Sequence, residues 1–309
     1  MSPSRLFRIT FRLGLVTTLV MFALIVVGSV VRTTGSGLAC PDWPLCQGRL
    51  IPPFQFNVTI EWFHRLLALI VSVLLATTVG WIAAHRRLRA RLGGLAALAV
   101  VLLASQVLLG ALTVWKLLDP GIVSGHLAVA LLLFSTFLTL TLVSGAQAEP
   151  ESERPPRPAG LLPTLGLATV MTYAQALLGG MVSTRHAGVA CPDWPTCFGA
   201  WFPPLEGAVG LQMMHRYGAY ALTAMLLVAA ARARLAPDEG VRRAGLLALG
   251  FTVAQVVMGV CNVFLATPVW LSALHLATAV TILALLVTAT FRAAALPATA
   301  TGLVAATAP

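Results

Sequence analysis

The sequence predicts an all-α membrane protein of eight transmembrane helices, arranged as two tandem four-helix bundles related by a pseudo-two-fold axis along the membrane normal. Three observations predict it. Of 309 residues, 58% are hydrophobic and only 10% are charged, against roughly a quarter charged in an ordinary soluble domain, which excludes a water-soluble globular protein. Eight apolar runs are each long enough to cross a hydrocarbon core of roughly 30 Å, for which about 20 helical residues suffice. The chain also repeats itself.

The runs lie at 13–31, 60–84, 95–115, 122–143, 161–182, 211–231, 244–265 and 271–290. The first is longer than the roughly 7–15-residue apolar core of a signal peptide and lacks a small-residue cleavage site, so it reads as a retained first helix. Orientation follows from the cations, because Lys and Arg near helix ends are kept on the cytoplasmic side. Fourteen arginines lie on one side: Arg5, Arg8, Arg12, Arg86, Arg87, Arg89, Arg91, Arg154, Arg157, Arg232, Arg234, Arg242, Arg243 and Arg292. Six cations lie on the other: Arg32, Arg49, Arg65, Lys116, Arg185 and Arg216. Both termini are therefore expected in the cytoplasm, with a multi-pass chain in the cell membrane. This topology accounts for the formal net charge of +10, and no nucleic-acid partner is needed to explain it.

A shift of 151 places 38–65 on 189–216 without a gap, matching Cys40-Pro-Asp-Trp-Pro-Leu-Cys46 to Cys191-Pro-Asp-Trp-Pro-Thr-Cys197 and His64-Arg65 to His215-Arg216. A shift of 149 places Gln106, Gly110 and His126 on Gln255, Gly259 and His275. Each copy holds four runs, an even number, so both copies enter and leave on the same face, as in parallel repeats. Residues 1–143 form the N-terminal half and 161–292 the C-terminal half. Between them, 144–160 carries Glu149, Glu151, Glu153, Arg154 and prolines and reads as a cytoplasmic linker. The Ala/Thr-rich stretch 293–309 has no period and is expected to be a disordered tail. Long outer loops, 32–59 and 183–210, give each half one cap, and these loops carry four of the five cysteines.

His64, His126, His215 and His275 each lie near the outer end of an even-numbered run, at equivalent places in the repeat. Ionisable groups in spans are expensive and mark function by default. Two imidazoles offered from facing helices supply the two axial ligands of a haem iron, and apolar helices suit a porphyrin. One haem-sized site per half is the natural count. Zinc or copper would want three or four ligands close together, and no Cys-x-x-Cys-His for covalent haem attachment occurs. His85 and His186, the latter with Gly35 as its repeat counterpart, read as solvated loop residues. Arg65 and Arg216 follow the first histidine of each pair, where they serve either as interfacial anchors or as forks onto haem propionates. Gln106 and Gln255, with Gly110 and Gly259, read as close helix packing plus a buried hydrogen bond, a pattern that Gln175 and Gly179 repeat on another helix.

Cys40 with Cys46, and Cys191 with Cys197, would close small rings in the outer loops, as static staples or as redox-active pairs. Cys261 lies within an apolar run and reads as a core residue. The halves differ most at Glu61, three residues before His64, whose counterpart is Gln212. Only the first half has a carboxylate beside its histidine pair. Such a group suits proton transfer, or it caps a helix N-terminus.

Taken together, Glu61-x-x-His64-Arg65, His126, His215-Arg216, His275 and the Cys40/Cys46 pair resemble the haem A synthase family over nearly the whole chain. The resemblance implies oxidation of a ring methyl of haem O to a formyl group in successive steps, an oxidoreductase reaction on a CH group serving haem-copper oxidase assembly. It implies that His215 and His275 ligate a resident haem b, that His64 and His126 bracket the substrate haem, and that Glu61 assists the oxidation. It further implies haem O synthase and cytochrome oxidase assembly factors as partners, and leaves open the electron donor, the source of oxygen and any homo-oligomer. The second pair, Cys191 and Cys197, departs from the familiar pattern and gives weight to a shared loop-folding role. Two other readings of the same histidines are a two-haem b-type electron carrier and a haem transporter.

Overall fold

The computed structural model describes residues 2–148 and 155–298. Its described residues form eight α-helices and no strand: α1 (Pro3–Thr33), α2 (Phe56–Ala84), α3 (Arg86–Trp115), α4 (Pro120–Ala148), α5 (Leu161–Thr184), α6 (Gly207–Ala233), α7 (Glu239–Phe264) and α8 (Val269–Ala294), with a single 3₁₀ turn at Ala187–Val189. Seven are long and apolar enough to cross a membrane, which fits a multi-pass membrane protein. The exception to the expected eight is α6, whose first turns carry Gln212, His215, Arg216, Tyr217 and Tyr220. Its length matches its neighbours, and it packs between α5 and α7.

Every helix continues past its apolar run at one end or both. In α1, Arg5, Arg8 and Arg12 are helical, with Ser2 accepting the Arg5 N–H and Pro3 in the first turn, a position that proline suits because its missing donor is not needed there. At 31 residues, α1 spans about 46 Å, so polar turns extend beyond any hydrocarbon core. Buried threonines are tolerated inside the spans because each hydroxyl donates back to the carbonyl four residues earlier, as at Thr10, Thr18, Thr141 and Thr252.

Helices α1, α2, α3 and α4 pack in sequence, and α4 closes back on α1; α5, α6, α7 and α8 do the same. Within each set the even-numbered helices are diagonal, and neither α2 and α4 nor α6 and α8 come into backbone contact. The sets meet through α1 with α8, α4 with α5 and α4 with α8. One apolar cluster crosses this junction, uniting Met21, Leu75, Leu131 and Phe137 with Val280 and Leu283. Large apolar side chains such as Leu69, Val101, Val170 and Val257 point outward, as a lipid-facing surface requires.

The two disulfide loops mark the cap end of the molecule. At the opposite end, α4 runs to Ala148, five residues beyond the expected boundary at 143, and the described part of the linker is tied down. The Arg157 N–H donates to the Pro297 carbonyl, so ordered chain continues past 292 as well. Asp238 caps α7 through Val241 N–H and receives Arg292 from α8 at 2.8 and 2.9 Å. Residues 149–154 of the expected linker and 299–309 of the expected tail lie outside the described residues.

Candidate functional site

The two loops repeat one construction. Cys40–Cys46 and Cys191–Cys197 are disulfides, and all four residues are buried. The Asp42 carboxylate accepts the Gln47 and Gly48 amides, and Asp193 accepts those of Phe198 and Gly199. These bonds hold both carboxyls below the usual range, Asp42 chiefly through Gly48. Asp193 is brought down to about 2, chiefly through the Thr196 hydroxyl.

Under each loop lies the arginine that follows the first histidine. Arg65 donates to the carbonyls of Cys40, Asp42 and Leu45; Arg216 donates to those of Cys191, Asp193 and Thr196. A planar fork with five donors is suited to gathering several carbonyls at once. Both arginines therefore anchor the loops. Arg216 also lines a cavity and keeps a buried Nε without a partner among the described residues.

Here the halves diverge. Glu61, only 4% exposed, accepts the Cys40 N–H at 2.8 Å on Oε2 and Arg65 Nη2 at 2.5 Å on Oε1. Its counterpart Gln212 makes one long bond of 3.4 Å to the Gly188 carbonyl, and its Oε1 has no partner among the described residues.

Below the loops, the four histidines project from the diagonal helices α2, α4, α6 and α8. His215 and His275 line one cavity. Each ring rests on a glycine of a neighbouring helix. A methyl group on Gly28, Gly110, Gly179 or Gly259 would lie 3.1, 3.3, 2.9 or 3.3 Å from Cε1 of His64, His126, His215 or His275 respectively. A side chain at any of these positions would displace the imidazole or the helix.

Gln175 donates to the His215 carbonyl at 2.8 Å and places its amide nitrogen 2.9 Å from His215 Nδ1; the Gln106 amide nitrogen lies 3.3 Å from His126 Nε2. These contacts give two of the glutamines a specific partner beyond helix packing. The Nδ1 atoms of His64, His126 and His275, and Oε1 of Gln106 and Gln255, are buried without a partner among the described residues. An unpaired buried polar atom ordinarily costs about 1–3 kcal/mol, so this concentration at one level of the molecule marks a place built for something else.

A cavity of about 410 Å³ opens beside His215 and His275, lined also by Gln175, Gln255, Gln212 and Arg216. Two residues of these sites were not singled out by sequence. Gly28, under His64, escaped notice, although the shift of 151 places it on Gly179. Arg32 was only one of six minority cations. His186, expected to be a solvated loop residue, is exposed in the loop after α5 and borders this cavity from there.

The comparisons with known proteins agree with this arrangement. A family model described as cytochrome oxidase assembly protein matches residues 11–287. The chain is similar to haem A synthase of Symbiobacterium thermophilum, 31% identical over 80% of this chain and 83% of that one. It is also similar to haem A synthase of a Methylobacterium species, at 30% over 86% of each chain, and of Shouchella clausii, at 32% over 70% and 73%. Because the family model runs through both halves and relatives of 30% identity or more cover most of both chains, the chain belongs to the haem A synthase family.

Proposed function

We propose that this protein converts haem O to haem A, oxidising one ring methyl to a formyl group in successive steps, with the substrate in the N-terminal half and a resident haem b in the C-terminal half. Family membership supports the reaction class. The observation that carries the division of labour is a set of four glycine-seated histidines in two diagonal pairs, with a buried carboxylate beside only one pair.

The residues fit the group they are asked to hold. Diagonal helices leave room between facing imidazoles, the glycines bring the rings close to neighbouring backbone, and Gln175 lies against both the ring and the carbonyl of His215 and restrains its orientation. A haem b held by His215 and His275 supplies one-electron transfer. In the other half, His64 and His126 bracket the substrate. Oxidising a methyl towards the formyl level removes protons as well as electrons, and Glu61 is placed to take up a proton at its carboxylate. Arg65 and the Cys40 amide fix where that carboxylate stands. Gln212 lines the cavity of the resident haem at the equivalent place and can hydrogen-bond but not accept a proton to become an acid.

The helix packing supports two tandem bundles related by a two-fold axis, because the contact of α1 with α8 is answered by that of α5 with α4. The cation distribution supports a cell-membrane protein with cytoplasmic termini and the cap end outside. Haem O synthase as supplier and cytochrome oxidase assembly as consumer follow from the reaction. The buried disulfides, alike in both halves, support a structural role, since labile disulfides are exposed ones.

Extraction and chromatography of the non-covalent haems from purified protein, with and without haem O supply in the expressing cell, tests the proposal. Haem b together with haem O, haem A or a hydroxylated intermediate is expected. Two haems b per chain, unchanged by haem O supply, would instead establish the electron-carrier reading that the near-symmetric histidine pairs also allow.

A further inference from the structure

The cavity beside His215 and His275 is lined by Arg32, Arg216 and His186 and by no aspartate or glutamate. Arg32 is the unusual member. It belongs to the last turn of α1, in the N-terminal half, yet it lines the cavity of the C-terminal half. Its side chain is half-buried, and among the described residues no carboxylate or carbonyl oxygen pairs with its guanidinium. A partly desolvated cation without a counter-ion is an unfavourable arrangement that an anionic occupant of the cavity would complete.

His186 stands just beyond α5 at φ +53°, in the left-handed region that glycine enters freely and histidine more readily than most residues. Its counterpart Gly35 adopts the same conformation at φ +68°. The C-terminal half thus carries an exposed imidazole at the cavity where its repeat counterpart is glycine. The counterpart of Arg32 is Ser183, which carries no charge and itself lines the same cavity. The repeat thus provides a cation across the junction in one direction only.

We propose that Arg32, assisted by His186, binds the propionate carboxylates of the haem held by His215 and His275. This clamp across the two halves makes that haem resident, whereas the substrate half, with Ser183 and Gly35 at the equivalent places, releases its occupant as product. The inference rests on the haem reading above and adds to it the basis of retention against exchange. Arg32 acts here as a positioning residue for the cofactor and takes no part in the oxidation.

The test is the rate at which haem b leaves the purified full-length protein for excess apomyoglobin, followed optically. Arg32→Ser, which copies the other half, is expected to bind haem b with an unchanged histidine-ligated spectrum and to lose it at least about tenfold faster, the effect of one charge-assisted hydrogen bond. A loss rate within twofold of the parent protein would overturn the clamp. Should Arg32→Ser fail to fold, the same criterion applies to His186→Gly, whose glycine suits the backbone there and which is expected to speed loss about threefold. Parent protein that holds no haem b, or His275→Ala that holds as much as the parent, would defeat the underlying haem reading instead.

Discussion

The two histidine sites are built alike and furnished differently. Both place two imidazoles on diagonal helices, seat each ring on a glycine, and cover the end with a disulfide loop gathered by an arginine. The N-terminal site adds Glu61, bonded to Arg65 and to the Cys40 amide. The C-terminal site has Gln212 in its place, a cavity bordered by Arg32 and His186, and Gln175 of α5 against His215. On the proposed reading, duplication supplies a site for a porphyrin twice, and a handful of substitutions separates a site that performs chemistry from one that retains a cofactor.

The largest effect is expected from making the halves alike at the point where they differ. Glu61→Gln copies Gln212 and should lower haem A formation by about 10²-fold or more, the usual scale for a general acid–base group, while haem b content stays at the parent level. Normal haem A output from that variant would remove Glu61 from the chemistry. Next in size is Gly179→Ala. Replacing a mid-helix glycine by alanine ordinarily stabilises a helix by about 0.5–1 kcal/mol, so a variant with reduced haem b per chain would show that the contact with His215 outweighs propensity. Gly28→Ala should instead spare haem b and lower bound haem O, and equal loss of both haems in each variant would argue against separate sites.

A smaller effect is expected from the caps. Replacing Cys191 and Cys197 by alanine opens a ring of sequence separation 6, which on loop-closure grounds costs about 2 kcal/mol. Folded yield should fall while turnover per folded molecule is kept. Equal yield with abolished turnover would make the pair redox-active. The smallest effect concerns Asp193, whose folded-state carboxyl titrates at about 2 because of Thr196 and the loop amides. An unfolded aspartate titrates near 3.9. Its contribution to loop order is therefore complete above about pH 4 and is lost as pH falls through about 2. Trp194 fluorescence should report a transition in that window that Asp193→Asn lacks.

Much of this molecule was legible in its sequence because the signals are one-dimensional. A run of apolar residues declares a span, and a repeat declares itself by superposition, so the helices, the four histidines and the Glu61/Gln212 difference could all be read directly. What escaped depends on direction in space. Arg5, Arg8 and Arg12 looked like the end of a span, yet they are helical, because hydropathy marks where lipid ends and not where the helix does. Arg65 and Arg216 were candidates for propionates, yet most of their donors turn to loop carbonyls, which only the folded loop brings within reach. Arg32 carries its charge from one half into the other, a contact for which the repeat gives no hint except the absence of a matching cation at Ser183.

Haem identity in paired histidine variants tests the division between halves most directly. Extracted pigments would be compared for the double variant at His64 and His126 and the double variant at His215 and His275, each expressed with haem O supply. The account predicts that the first keeps haem b and loses haem O and haem A, and that the second loses haem b. Loss of haem b from the first, with haem b retained in the second, would contradict it.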